Sequence, residues 1–228
     1  MIQYARLLVP LNLGSIKKEV EALTSHWLPH FNLAHYSGGW SILPLRSPGG
    51  NSEQIIPDLL SQTDYRDTVF MEQCPSIQKV VEFFHCELKA VRLMNLKSGS
   101  IIKPHRDTDL CFEKGEARLH IPIFTNDHVR FFSVHQLLSM KEGECWYVNV
   151  NLEHQVSNEG SSDRVHLVID CVVNEWLRNL FLGAECKQIP DEDRSEEKRK
   201  IIKELRRQNT ETGTRLADMM EAELNQSS

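Results

Sequence analysis

The sequence contains no apolar run that approaches the roughly eighteen residues of a membrane-spanning helix. It also does not open with a basic segment followed by an apolar core, so no secretory leader is expected. Basic residues are not in excess, because 26 Lys and Arg face 32 Asp and Glu, which gives a formal charge of -6. A protein that follows a phosphate backbone usually has a basic excess, so neither nucleic acid nor a membrane is expected as a partner.

Paired cysteines are also lacking. The six cysteines lie at positions 74, 86, 111, 145, 171 and 186, with no C-x-x-C pair and no spacing typical of a small disulfide-stapled domain. A chain of this length can bury roughly 70% of its unfolded surface and does not depend on such staples. Free thiols and a cytoplasmic location are therefore expected.

The middle of the chain has the pattern of a β protein. Residues 90–173 form a series of short apolar runs that are separated by Gly or Asn turns. Such a series predicts a mainly β sandwich or barrel, and folds of this kind commonly run to roughly 200 residues as one domain. We expect one domain over residues 1–183, with its β core at about 90–173, and a charged helical extension over residues 184–228.

Helices are expected before the β core. A short strand at residues 4–9 precedes a helix that Ser15 is expected to cap and whose apolar residues recur at helical spacing as far as Trp27. Residues 76–88 carry a second apolar stripe at this spacing. Both helices should pack against the sheets.

Further helices are expected after the core. Asn174 is expected to cap a short helix that runs through Phe181. Two more helices are predicted at about 191–208 and 212–224, where acidic residues come first and basic residues follow, as the helix dipole favours. Their few apolar residues are enough to dock on the barrel or on a second subunit, so a homodimer through the terminal helices is one expectation.

One loop has the composition of a lid. Residues 47–67 are rich in Pro, Gly, Ser and Asn, which predicts a loop with about one helical turn at 54–60.

Three short segments together predict a metal site. The first is Pro-His-Arg-Asp at residues 104–107, which contains His105 and Asp107; His154 and Arg164 follow further along the chain. Residues two apart on a strand point to the same side, so His105 and Asp107 could hold one ion together. Two imidazoles and one carboxylate are typical of iron(II) oxygenases, because this set leaves coordination positions open for co-substrate and dioxygen. His154 would come from a distant strand.

Arg164 is the candidate that would bind the co-substrate. A guanidinium stays charged and offers two parallel donors, which suits the distal carboxylate of 2-oxoglutarate. Turn-forming residues fill positions 157–163, so His154 and Arg164 are expected on neighbouring strands. The alternative is a buried salt bridge from Arg164 to Asp170 or Glu153.

Other polar residues have weaker patterns. Arg118 and His120 share one face of a predicted strand, where they could line a pocket or simply bond across the sheet. Four more residues are candidates for substrate contact, although a core role is also open for the last: Trp40, Arg46, Arg92 and His166. The histidines at positions 26, 30 and 35 are spaced across Pro29, which breaks a helix, so they are expected to be packing residues.

With these residues in view, the stretch from about Tyr36 to Trp176 resembles the aspartyl/asparaginyl β-hydroxylase family, and within it the bacterial proline hydroxylase branch. The resemblance rests on Ser-Gly-Gly-Trp (37–40), Leu-Pro-Leu-Arg (43–46), Pro-His-Arg-Asp (104–107), Arg-Leu-His-Ile-Pro (118–122) and the segments 143–147, 151–158 and 163–170.

The resemblance implies a double-stranded β-helix, also called a jelly roll or cupin-like fold. It implies iron bound by His105, Asp107 and His154 and 2-oxoglutarate bound by Arg164, with Arg118 and His120 lining the same pocket. Animal members that act on aspartyl and asparaginyl residues lack the carboxylate ligand. The presence of Asp107 therefore favours the free amino acid hydroxylases and disfavours a halogenase.

The expected activity is that of an iron(II)- and 2-oxoglutarate-dependent dioxygenase. It would hydroxylate a free amino acid such as proline, consume dioxygen, release succinate and CO2, and need ascorbate as reductant in vitro. Three alternatives remain open: hydroxylation of Asp, Asn or Pro in a peptide or protein, a non-catalytic metabolite-binding jelly roll, and an interaction module in the C-terminal helices.

Overall fold

The computed structural model describes residues 1–23, 26–56, 63–189 and 195–226. The strands are β1 (Ile2–Leu7), β2 (Leu28–Pro29), β3 (Tyr36–Ser37), β4 (Trp40–Pro48), β5 (Tyr65–Asp67), β6 (Leu88–Leu96), β7 (Ile101–His105), β8 (Glu116–Phe124), β9 (Val129–Ser133), β10 (Gln136–Leu138), β11 (Cys145–Val148), β12 (His154–Asn158), β13 (Arg164–Val172) and β14 (Glu185–Gln188). The helices are α1 (Leu13–Ala22), α2 (Pro75–Phe83), α3 (Glu175–Leu182), α4 (Ser195–Arg207) and α5 (Glu211–Gln226).

The chain divides into two compact units, Met1–Ile189 and Pro190–Ser228. The first unit extends beyond the expected boundary at residue 183, because β14 pairs antiparallel with β1 at the edge of a sheet. A charged tail was expected to begin there, yet its first residues complete the β domain.

Two antiparallel sheets form the first unit. In the described part of the chain, one sheet has the order β14-β1-β11-β8-β13-β6-β4-β2, with β5 beside β4, and the other has the order β10-β9-β12-β7-β3. From β6 to β13 the chain crosses between the sheets at nearly every connection, which gives β11-β8-β13-β6 opposite β10-β9-β12-β7. This pairing is that of a double-stranded β-helix, or jelly roll, as the sequence predicted.

The larger sheet separates two apolar cores. On its outer face, residues such as Leu119 and Leu167 pack against the apolar sides of α1, α2 and α3. On its inner face, Met94 and Val168 join Phe131 and Val156 of the smaller sheet in a second core. Because side chains alternate along a strand, β4, β6, β11 and β13 of the larger sheet each contribute to both cores.

The first helix begins and ends earlier than predicted. Asn12, not Ser15, caps α1, since its side-chain oxygen accepts a hydrogen bond of 3.1 Å from the backbone N–H of Ser15. An Asn can cap a helix as well as a Ser, so the sequence alone favoured neither residue. The helix ends at Ala22, and Trp27 therefore lies outside it.

The structure confirms the two helices that the sequence predicted next, α2 and α3. Ile77, Val80 and Val81 form the buried stripe of α2, although this helix ends at Phe83 rather than at 88. Asn174 caps α3, where its side chain accepts a bond of 3.0 Å from Leu177 N–H.

Less of the predicted 47–67 loop is irregular than expected. The strand β4 continues to Pro48, and β5 returns beside it. Most of the helical turn predicted at 54–60 lies outside the described residues, so a lid there stays a prediction.

The second unit consists of α4 and α5, which pack against each other. Arg206 at the end of α4 bonds to Asp218 at 3.1 Å and Glu221 at 2.5 Å on α5. Both helices lie close to their predicted positions. No helix in the described ranges combines the length and the apolar character needed to cross a membrane, and all six cysteines are free thiols.

Candidate metal centre and its cavity

Three side chains converge between the two sheets. His105 ends β7 and His154 begins β12, and the two residues are paired in the antiparallel register of these strands. Asp107 follows two residues after His105. One ligand atom from each of the three lies within 4.8 Å of the other two. The site thus brings together two imidazoles and one carboxylate, as the sequence predicted.

The position of Asp107 differs from the prediction that one strand would carry both ligands. The strand β7 ends at His105, and the backbone N–H of Asp107 instead bonds to the carbonyl of Val150 at 2.8 Å. This bond attaches the Asp107 loop to the segment that leads into β12. The Asp107 carboxylate therefore reaches the two imidazoles from a loop that continues from β7 at one end and is hydrogen-bonded to Val150.

Backbone carbonyls orient both imidazoles. Nδ1 of His105 lies 2.8 Å from the carbonyl oxygen of Lys103, and Nδ1 of His154 lies 3.1 Å from that of Leu152. A carbonyl oxygen can only accept, so each Nδ1 carries the hydrogen and each Nε2 presents its lone pair. This arrangement is typical of histidines that bind a metal through Nε2.

The protonation states of two of these residues also suit a metal. Burial, together with the nearby His105, lowers the pKa of His154 to about 4, so this imidazole is neutral near pH 7. Burial alone would raise the pKa of Asp107, but Arg118 and the two imidazoles outweigh it and lower the pKa. Metal ligands must be deprotonated, and these shifts favour the deprotonated form of both groups near pH 7.

A buried ion-pair network lies beside Asp107. Arg118 contacts the Asp107 carboxylate with one guanidinium nitrogen and Asp170 with two others, at 2.7 and 3.0 Å. Arg92 pairs with Asp170 from the other side. Burial would raise the pKa of Asp170, yet the two guanidinium groups lower it to about 2. Both arginines line the cavity with their charges already matched by carboxylates.

Arg164 differs from these two arginines. Its side chain is buried, and no carboxylate among the described residues forms a salt bridge with it. One terminal nitrogen donates to Nδ1 of His166 at 2.9 Å, whereas Nε has no partner in the described part of the chain. The alternative of a salt bridge to Asp170 fails because Asp170 pairs with the other two arginines. Burial lowers the pKa of Arg164 to about 9.

The sequence suggested that Arg164 and His154 lie on neighbouring strands, and this prediction is wrong. They begin β13 and β12, which belong to opposite sheets. The turn-forming residues between them carry the chain across the barrel rather than around a hairpin. The candidate anion-binding residue therefore faces the metal site from the other wall.

His120 lines the same cavity with unsatisfied polar atoms. It is buried, and neither of its ring nitrogens has a hydrogen-bond partner within the described ranges. Burial, with Arg164 and Arg118 nearby, holds its pKa well below the usual value. Buried polar atoms are rarely left without partners, so His120 and the Nε of Arg164 both indicate space that a polar ligand would fill.

The cavity that joins these residues has a volume of ≈ 490 Å³. Trp40 and Arg92, two of the four candidates for substrate contact, line this cavity, so their contact with a substrate stays a prediction. Arg46 is not brought to this cavity, because it pairs with Asp67 at 2.7 Å and donates to the carbonyl of Leu88. His166 lies behind Arg164, where the two border a second cavity of ≈ 640 Å³.

Two cavity residues were interpreted from the sequence only as packing histidines. The ring of His30 stacks on Trp40 with 3.6 Å between centroids, and the ring of His35 lies 5.2 Å from that of His105. His30 does pack, but on the cavity wall. The sequence contained no signal for this position, since it depends on the short pairing of β2 with β4.

The sequence and the fold were compared with known proteins. The model of the Aspartyl/Asparaginyl beta-hydroxylase family matches residues 11–173. The L-proline cis-3-hydroxylases 2 and 1 of Streptomyces sp are 26% and 25% identical over 138 residues, which make up 59% of this chain and 47% of each relative. The chain thus spans about half the length of these curated relatives.

The solved structures that match this chain include two prolyl hydroxylases. The viral collagen prolyl hydroxylase of Paramecium bursaria Chlorella virus-1 has a TM-score of 0.45 and 13% identity, with 75% of this chain and 97% of that chain covered. The Pseudomonas putida prolyl-4-hydroxylase has a TM-score of 0.45 and 10% identity, with 76% and 94% covered.

The family match extends over most of the chain and includes the three converging side chains and Arg164. This chain belongs to the aspartyl/asparaginyl β-hydroxylase family.

Proposed function

We propose that this chain is an iron(II)- and 2-oxoglutarate-dependent dioxygenase that hydroxylates the side chain of a free amino acid such as proline. In this reaction 2-oxoglutarate and dioxygen would be converted to succinate and CO2 as the substrate gains a hydroxyl group. One observation carries the proposal: His105, Asp107 and His154 converge on a cavity whose opposite wall holds the buried Arg164, which forms no salt bridge within the described residues.

The donor set fits iron(II). Two imidazoles and one carboxylate are the ligand set typical of iron(II) oxygenases, and this set would leave coordination positions open for other ligands. Iron bound there would take up 2-oxoglutarate and dioxygen and supply oxidising chemistry that side chains cannot provide. The carbonyls of Lys103 and Leu152 keep both Nε2 atoms directed at the site.

Arg164 fits the distal carboxylate of 2-oxoglutarate. Its Nε, which has no partner among the residues that the structure describes, and its remaining terminal nitrogen offer a pair of donors in a buried place. His166 orients the guanidinium through the 2.9 Å bond to Nδ1. His120 offers a ring N–H to the same ligand. Because these groups are buried, water is excluded from the region where the co-substrate would lie.

The substrate would lie on the side of the cavity away from Arg164. We assign Arg92, whose Nε has no partner within the described residues although its terminal nitrogen pairs with Asp170, to a substrate carboxylate, and Trp40, stacked on His30, to the apolar part of the substrate. Proline is the leading candidate because the curated relatives are named L-proline cis-3-hydroxylases.

The test is aerobic incubation with iron(II), ascorbate and 2-oxoglutarate, with and without free amino acids and short peptides, and with succinate as the readout. Succinate that depends on both iron and 2-oxoglutarate supports the dioxygenase. Stimulation by peptides alone would show that a peptide or protein is the substrate. Absence of succinate, together with no iron binding, would favour the non-catalytic metabolite-binding protein.

A further inference from the structure

Two charged residues of the cavity have no role in the site described above. Lys89 on β6 and Glu116 on β8 line the same cavity as His105 and Arg92 and contact each other through Lys89 Nζ and Glu116 Oε1. Their side chains are 25% and 34% exposed, so the pair lies nearer the mouth than the buried pair of Arg92 and Asp170.

A β-bulge directs Lys89 into the cavity. On β6, Val91 packs in the outer core and Arg92 faces the cavity, so plain alternation would place Lys89 on the outer side. The pairing of β6 with β13 is irregular here. Ile169 pairs with Val91 and Cys171 pairs with Leu88, so two residue steps along β13 correspond to three along β6. The extra residue reverses the alternation. Bulges often re-aim side chains in this way beside active sites.

Glu116 reaches the cavity by regular alternation. It lies on the same face of β8 as Arg118 and His120. Exposure falls along this face, from 34% for the Glu116 side chain to 12% for that of Arg118. Glu116 is therefore the outermost of the three, and the cavity wall presents a carboxylate at its mouth and guanidinium groups deeper inside.

One oxygen of Glu116 is available to a ligand. Lys89 contacts Oε1, and no residue in the described part of the chain donates a hydrogen bond to Oε2. The contact with Lys89 holds the carboxylate in place, and Glu116 in turn keeps the pKa of Lys89 raised although burial would lower it.

We infer that Glu116, positioned by Lys89, binds the ammonium group of a zwitterionic amino acid whose carboxylate lies at Arg92. This inference rests on the proposed function and identifies the substrate class as free amino acids with a charged amine. A residue inside a peptide has an uncharged amide nitrogen at this position and would leave Glu116 without a cationic partner. The cavity would thus select against peptides by charge.

A purely structural salt bridge is the alternative to this inference. Such a pair would link β6 to β8 across β13, and half-exposed pairs of this kind contribute little to stability. The chain contains a matched pair away from the metal cavity. Lys17 and Glu142 lie 2.6 Å apart with side chains 29% and 32% exposed.

The experiment compares Glu116→Gln and Lys89→Met with the control variants Glu142→Gln and Lys17→Met. The KM and kcat of succinate formation are measured for the best free amino acid of a panel that includes L-proline, and for its N-acetyl derivative. The wild type should strongly prefer the free amine. Glu116→Gln should raise the KM of the free amino acid about tenfold or more, as loss of a charge-assisted contact does. The KM of the N-acetyl derivative should not change.

Lys89→Met should raise the KM of the free amino acid less than Glu116→Gln does, and the double variant should resemble Glu116→Gln, because Lys89 acts through Glu116. The control variants should leave this KM unchanged. An unchanged KM in Glu116→Gln, equal use of the N-acetyl derivative by the wild type, or turnover with peptides alone would overturn the inference. Each of these outcomes leaves the dioxygenase itself intact, since iron- and 2-oxoglutarate-dependent succinate formation by the wild type tests that separately.

Discussion

Arg118 binds the carboxylate of Asp107 with one nitrogen of its guanidinium group while the other two nitrogens bind Asp170. A candidate metal ligand is thus connected to a buried ion-pair network. The network fixes the direction of the Asp107 carboxylate and keeps it ionised. The predictions below follow from this connection and from the isolation of Arg164.

The first prediction concerns metal binding. His154→Ala removes one of three ligands, so iron(II) should no longer raise the melting temperature of the variant. The free energy of unfolding of the wild type should rise by about 2.7 kcal/mol when the free metal is at 100 times its Kd. Differential scanning calorimetry under anaerobic conditions, with and without iron(II), measures the effect on the wild type and on the variant. His128→Ala, at an exposed turn, is the control and should keep the full metal-dependent shift.

The second prediction concerns Arg118. Its replacement by Met leaves Asp107 and Asp170 without their shared cation, and removal of one partner from a buried ion pair costs about 3 to 5 kcal/mol. The loss should appear in the free energy of unfolding measured with urea, and iron affinity should fall by about 10- to 100-fold. Arg6→Met breaks a more exposed pair with Glu144 and should change stability by about 1 kcal/mol or less. Equal effects of the two substitutions would show that the network does not stabilise the site.

The third prediction is a pH dependence that arises from Asp170. Its folded pKa of about 2 is below the ordinary value of 3.8, so its ionised form stabilises the fold. That contribution is complete above about pH 5 and is lost as the pH falls toward 2. The difference in unfolding free energy between the wild type and Asp170→Asn should therefore be constant at pH 5 and above and shrink at lower pH. Urea unfolding at several pH values provides the measurement, and a difference that grows with acidity would contradict the assignment.

The fourth prediction separates Arg164 from the other cavity arginines. Arg164→Met should raise the KM for 2-oxoglutarate by about 10- to 100-fold, because a charge-assisted contact is lost. Stability should not fall, since no carboxylate in the described residues depends on this cation. Steady-state kinetics with varied 2-oxoglutarate and a urea titration test both parts. Arg178→Met, on the exposed surface of α3, is the control for loss of an arginine.

Local patterns predicted several parts of the site. The alternation along β8 placed Arg118 and His120 on one face, and the motif at residues 104–107 identified His105 and Asp107 as candidate metal ligands, although Asp107 lies in the loop after β7. Residue types suited to a ligand set are visible in the sequence because coordination chemistry restricts them.

Features that depend on how strands meet were not predictable. Turn-forming residues between His154 and Arg164 suit a hairpin and a crossing between sheets equally well, so their placement in opposite sheets could not be read from the pattern. The bulge that turns Lys89 inward leaves no periodicity signal, because it depends on the register with β13. The pairing of Arg118 with Asp107 likewise required the loop after β7 to be fixed by Val150.

The most direct test of the account is a crystal structure of the protein grown without oxygen in the presence of iron(II) and 2-oxoglutarate. The account predicts one iron ion bonded to Nε2 of His105, Nε2 of His154 and a carboxylate oxygen of Asp107, with the distal carboxylate of 2-oxoglutarate on Arg164. Iron bound by other residues, or a co-substrate whose distal carboxylate lies away from Arg164, would contradict it.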